Sequence, residues 1–191
     1  MRILQFLAVF LLGLAAGCAG QSSVKPVEAL DERTGVTLAS LKEPIELLPS
    51  AQHAALAPGK RTSFAYLGPV EWNSMGTIAY GLWIHIAPGN DVQADDIHTA
   101  GTLTLILDDG AVALSVIDAP KLGRDPYKRV VPWGQTAYFD LPVDLLKRMA
   151  ASVKLGLDVR TVDGSITNFS PTLNAHAALT QYLQARGITG D

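Results

Sequence analysis

The chain has 191 residues, a formal net charge of −3 and one cysteine. That length suits one domain with a sizeable core. The mild acidity excludes a nucleic-acid-binding charge balance, and a lone cysteine excludes an internal disulfide and a structural zinc–thiolate site.

At the N-terminus Arg2 supplies a positive charge, Ile3 to Leu12 form an apolar run, and Gly13 to Gly17 are mostly small. This is the pattern of a secretory signal. The run is shorter than the ~18–20 residues a transmembrane helix needs. It ends in Leu14-Ala15-Ala16-Gly17-Cys18. These residues resemble a bacterial lipoprotein signal peptide ending in a lipobox. The resemblance implies cleavage before Cys18 and its acylation with a diacylglyceryl thioether and an N-acyl chain. More than one chain gives stable anchoring, at ~0.8 kcal/mol per buried methylene. Ala19 rather than aspartate follows the cysteine. In Gram-negative members of that family this favours the outer membrane, so the implied address is the cell envelope, facing the periplasm.

The predicted organisation is therefore a signal over 1–17, a lipidated cysteine and tether over 18–33, and one domain over 34–191. Gln21 to Glu32 is polar without a period and reads as tether. Thr34–Leu41 and Ile45–Leu48 read as short strands, Ser50–Lys60 as an Ala/Pro-rich loop, and Arg61–Leu67 as the start of another strand. Thr77–Ile86 alternates strictly, which is a β-period. It places Ile78, Tyr80, Leu82, Ile84 and Ile86 on a core face and Ala79, Gly81, Trp83 and His85 on a half-covered one.

Ala87–Gly101 reads as loop. Thr102–Leu107 and Ala111–Ile117 read as a hairpin about Asp109-Gly110. Asp118–Gly134 is a long Pro/Gly-bearing loop, and Gln135–Asp140 resumes a strand. Pro142 opens a short helix with Asp144 in its first turn and Leu145, Leu146 and Met149 on one stripe, ending near Ser152. Val153–Val162 and Ser165–Phe169 form a second hairpin about Asp163-Gly164. Pro171 starts a last helix, striped by Leu173, His176, Leu179, Tyr182 and Leu183 and ended by Gly187. The predicted fold is mainly β: an antiparallel β-sandwich with a short inserted helix and a C-terminal helix, with an open barrel as the second choice.

The chain lacks a nucleophile elbow, a His-Glu-x-x-His pair, a phosphate loop and a dinucleotide fingerprint. Nothing in it calls for a cofactor. The most chemical grouping is Asp95, Asp96 and His98 on one loop with His85 on the preceding strand, whose oxygens and nitrogens suit a divalent ion. Loops also collect Asp because it stabilises turns, and that plainer reading is preferred. Lys121, Arg124, Lys128 and Arg129 surround Asp125-Pro126-Tyr127 and form a basic loop in an acidic protein, suited to an anionic surface. Trp72, Tyr127 and Trp133 would form a sugar or peptide contact if loops brought them together; core packing is the alternative.

Gly68-Pro69-Val70-Glu71-Trp72-Asn73, then Met75-Gly76 and a strand with Leu82-Trp83, resembles small uncharacterised proteobacterial lipoproteins, which implies no activity. The reading as a whole is a lipid-anchored envelope protein with a non-enzymatic binding or structural role. Its partners are the membrane through the anchor, another envelope protein or a polysaccharide, and not nucleic acid. The alternatives are a metal-dependent envelope hydrolase built on residues 85–98 and a carrier of an apolar ligand.

Overall fold

The structure is a computed structural model that describes residues 26–50, 63–89, 93–129, 131–172 and 174–188. In chain order the strands are β1 (Pro26–Asp31), β2 (Val36–Leu41), β3 (Ile45–Pro49), β4 (Phe64–Ser74), β5 (Thr77–Ala87), β6 (Leu103–Leu107), β7 (Gly110–Ala113), β8 (Val116–Ile117), β9 (Gln135–Asp140), β10 (Gly156–Arg160) and β11 (Ile166–Pro171). The helices are α1 (Val143–Ala151) and α2 (Ala175–Ala185). Among the described residues no helix is long and apolar enough to cross a membrane.

All eleven strands belong to one antiparallel sheet, ordered β7-β6-β10-β11-β3-β4-β5-β9-β8, with β2 and then β1 branching from β4. Its two ends, β7 and β8, are consecutive in the chain. The amide of Leu114 donates to the carbonyl of Leu103 (3.2 Å), and the amide of Asp140 donates to that of Ser115 (2.8 Å). The chain thus passes from one sheet edge to the other within two residues, and the sheet curls towards closure. The mainly β, antiparallel class with two helices holds. A two-sheet sandwich is not confirmed, because the strands form one continuous curled sheet.

The branch has a local cause. Ser40 lies opposite Val70, and Ile45 lies opposite Leu67. Leu41 to Pro44 on one side therefore face only Gly68 and Pro69 on the other. Proline has no amide hydrogen to give the ladder, so pairing lapses there. Beyond the lapse β2 turns to pair with β1, and β3 turns to pair with β11.

Several boundaries differ from the sequence reading. The stretch read as tether contains β1, whose Pro26 faces Leu41 and whose Asp31 faces Val36; pairing, not periodicity, makes it a strand. β4 extends to Ser74 and joins β5 through Met75-Gly76, both at positive φ (51° and 91°), with the Gly76 amide on Asn73 Oδ1. That conformation matches the twist of a two-residue hairpin. Ala111–Ile117 divides into β7 and β8 because its two halves have different partners. β10 begins only at Gly156, since the Asp108 carboxylate accepts the amides of Val153 and Lys154 and holds them in a turn. β11 runs through Pro171, and α2 starts after Asn174, whose side chain accepts the Ala177 amide.

The alternating faces of β5 are both used. Leu82, Ile84 and Ile86 lie in the core with Leu67, Phe139 and Leu157, closed by Leu146 and Met149 of α1 and Leu179 and Tyr182 of α2. Ile78, assigned to the core from its parity, is exposed, because it sits beside the hairpin tip. Trp83 and His85, assigned to a half-covered face, are fully buried. The loop after β8 covers them.

Candidate binding surface

The covered face is built by cross-strand registry. Tyr66, Gly68 and Trp72 of β4 lie opposite His85, Trp83 and Ala79 of β5, and Trp83 and His85 lie opposite Tyr138 and Thr136 of β9. Directly opposed side chains share a face. Trp83 stacks on His85 with centroids 5.7 Å apart and planes at 19°, and Trp72 meets Tyr138 at 5.7 Å. His85 Nδ1 is 2.7 Å from Thr136 Oγ1, while Nε2 has no hydrogen-bond partner among the described residues. Burial, reinforced by the nearby charge of Arg129, holds the imidazole below its ordinary pKa, so the neutral ring is the form that fits.

The loop from Asp118 fastens to this face at two places. Tyr127 drops between Trp83, 5.0 Å away between centroids, and the bare backbone of Gly68, where any Cβ would collide with its ring. Its hydroxyl accepts the Leu41 amide (3.1 Å) and donates to the Pro69 carbonyl (2.8 Å). One phenol thus satisfies a backbone donor and a backbone acceptor at the lapse in the ladder. The second fastening is Asp31, which accepts the amides of Gly123 and, at 3.0 Å, Arg33. These hydrogen bonds, that of Gly123 foremost, hold its carboxyl below the usual range. The Arg33 guanidinium also donates to the Lys121 carbonyl.

Lys121, Arg124, Lys128 and Arg129 are all exposed on this clamped loop. Arg129 lies 3.5 Å from Asp125; among the described residues the other three have no carboxylate partner. The basic loop predicted from sequence is therefore a fixed platform rather than a loose tract. Trp133, on the same connection, is 58% exposed. The predicted contact site of Trp72, Tyr127 and Trp133 does not form: Trp72 and Tyr127 are packing residues, and only Trp133 is presented to solvent.

The residues suggested for a metal do not come together. Asp95 pairs with Arg160 at 3.4 Å and accepts the Asp96 amide; Asp96 accepts the His98 amide in a turn. The His98 side chain is exposed and His85 is buried under the loop. Among the described residues no three His, Cys, Asp or Glu side chains gather to hold an ion. His85, Asp95, Asp96 and His98, the weak candidates, are thus spread over separate roles, and the aspartates shape the turn preferred from sequence. Cys18 and His53 lie outside the described residues.

Sequence reasoning missed a buried ion pair. Glu28, Ala39, Glu71 and Tyr80 lie in one cross-strand row. Ala39 is small, and Arg186, just past α2, spans the row: it forks onto Glu71 (Nε 2.9 Å, terminal nitrogen 2.6 Å) and reaches Glu28. Tyr182 of α2 donates to the Ala39 carbonyl (3.2 Å). A lone glutamate between Val70 and Trp72 was the available signal; its partner lies 115 positions away. No protein-family model, no curated protein and no solved structure matches the chain.

Proposed function

We propose that the protein is a lipid-anchored component of the bacterial cell envelope with a non-enzymatic binding or structural role, held at the outer membrane and facing the periplasm. The observation that carries this reading is the run ending in Cys18, followed after residues 19–25 by a strand already built into the sheet. An acylated sulfur there would seat a folded domain close to the bilayer. The clamped cationic loop supports a binding role, because its backbone is fastened before any partner arrives, so less backbone ordering entropy remains to be lost.

Cys18→Ala tests the anchor. The variant is expected to accumulate as unprocessed precursor, and the wild-type N-terminal peptide to carry acyl mass on Cys18. A wild-type product with a free thiol at Cys18, or one retaining residues 1–17, overturns the reading.

A further inference from the structure

The geometry points to the connection bearing Lys121, Arg124, Lys128 and Trp133 as a second membrane contact, one that docks on the anionic phospholipid headgroups of the leaflet holding the anchor. This rests on the lipid-anchor reading above. The chain as a whole has a net charge of −3, yet residues 121–129 contain four cations and a single acid, Asp125, which Arg129 engages. Asp31 beneath them is occupied by the amides of Gly123 and Arg33. Glu32 and Asp118 are exposed in the flanking sequence. The loop is therefore locally cationic in an acidic chain. Trp133 adds an exposed indole on the same connection, the side chain that favours the headgroup level of a bilayer.

The tether sets the distance. Residues 19–25 separate Cys18 from Pro26, and a fully extended span of that kind reaches about 26–29 Å. β1 has six residues, about 17–20 Å of strand, and Asp31 at its far end holds Gly123 of the basic loop. The tether thus lets the platform reach the leaflet. It also keeps Pro26, where β1 begins, within about 26–29 Å of the anchor, so the headgroups stay at high effective concentration. Each Lys or Arg near an anionic surface strengthens attachment about fivefold.

The test uses the mature, lipidated protein in nanodiscs of phosphatidylcholine carrying brominated acyl chains, with and without phosphatidylglycerol. Trp72 and Trp83 are buried, so quenching reports Trp133. Quenching is expected only with phosphatidylglycerol, is lost in Trp133→Phe, and falls as salt is added. Lys121→Glu/Arg124→Glu/Lys128→Glu should lower the docked population at least about tenfold. These side chains are exposed, so its urea midpoint should match wild type. Equal quenching in both lipids, quenching indifferent to charge reversal, or none in either lipid overturns the proposal. The anchor is scored separately from the mass of the Cys18 peptide. If Cys18 proves unacylated, sedimentation of the full chain with phosphatidylglycerol vesicles at low salt decides: binding abolished by charge reversal supports the surface, and absence of binding overturns it.

Discussion

Tyr127→Phe isolates the oxygen that closes the gap in the ladder. The phenylalanine ring keeps its place over Gly68 and against Trp83, so apolar burial is conserved. Two hydrogen bonds are lost, at 3.1 and 2.8 Å, in a site where Tyr127 is only 2% exposed. The Leu41 amide and the Pro69 carbonyl are then buried without this partner. A lost bond that strands a buried group costs about 1–3 kcal/mol, less for a carbonyl than for an N–H, and the sum here is about 2–4 kcal/mol. Against a typical domain stability of about 5–15 kcal/mol this is a large share. Urea unfolding followed by tryptophan fluorescence should give a lower midpoint at unchanged slope, with selectively faster hydrogen exchange at the Leu41 amide. A loss below about 0.5 kcal/mol, with Leu41 still protected, would refute the role given to the phenol. Gly68→Ala adds an independent check. Its methyl collides with the Tyr127 ring, so it should destabilise wild type strongly and a Tyr127→Ala background far less; additive costs would show that the two do not share the site.

Arg186→Met should cost about 3–5 kcal/mol, because it leaves Glu71, 2% exposed, as a buried charge without its fork. Glu71→Met in the same chain should restore most of that in denaturant titrations, and failure to do so would show that the arginine acts otherwise. His85 supplies a pH dependence. Its folded pKa lies below the ordinary value of 6.5 through burial and the charge of Arg129, so the unfolded chain takes up a proton first as pH falls. Its contribution to stability is complete above about pH 6.5 and is lost as pH drops towards the folded value. Unfolding midpoints at about pH 7 and about pH 5 should converge in His85→Phe; an unchanged difference between them assigns the effect to another group.

Local pattern was enough for much of the fold. Period-two alternation located β5, Asp-Gly turns located the hairpins at 109–110 and 163–164, and Pro142 with Asp144 located α1. These signals live within a few residues, where sterics and backbone hydrogen bonding act directly. The basic loop was legible for the same reason, since four cations in nine residues need no fold to be counted. What periodicity could not reveal was which face of β5 the loop would cover, or that the stretch at 26–31, read as tether, would become a strand. β1 has no pattern of its own; its backbone simply finds that of β2.

The division between the two levels is physical. Side-chain order along the chain, and the run ending in Cys18, determined the element types and the implied address, because both depend on neighbours in sequence. Only the tertiary structure decided that one sheet would curl until Leu114 and Ser115 bridge its edges. It alone set Tyr127 into a break between residues 41 and 69, and Arg186 onto Glu71. The last two join groups from 58 to 115 positions apart. Their energies come from burying polar atoms with the right partner, and a partner at that separation exists only once the chain has closed.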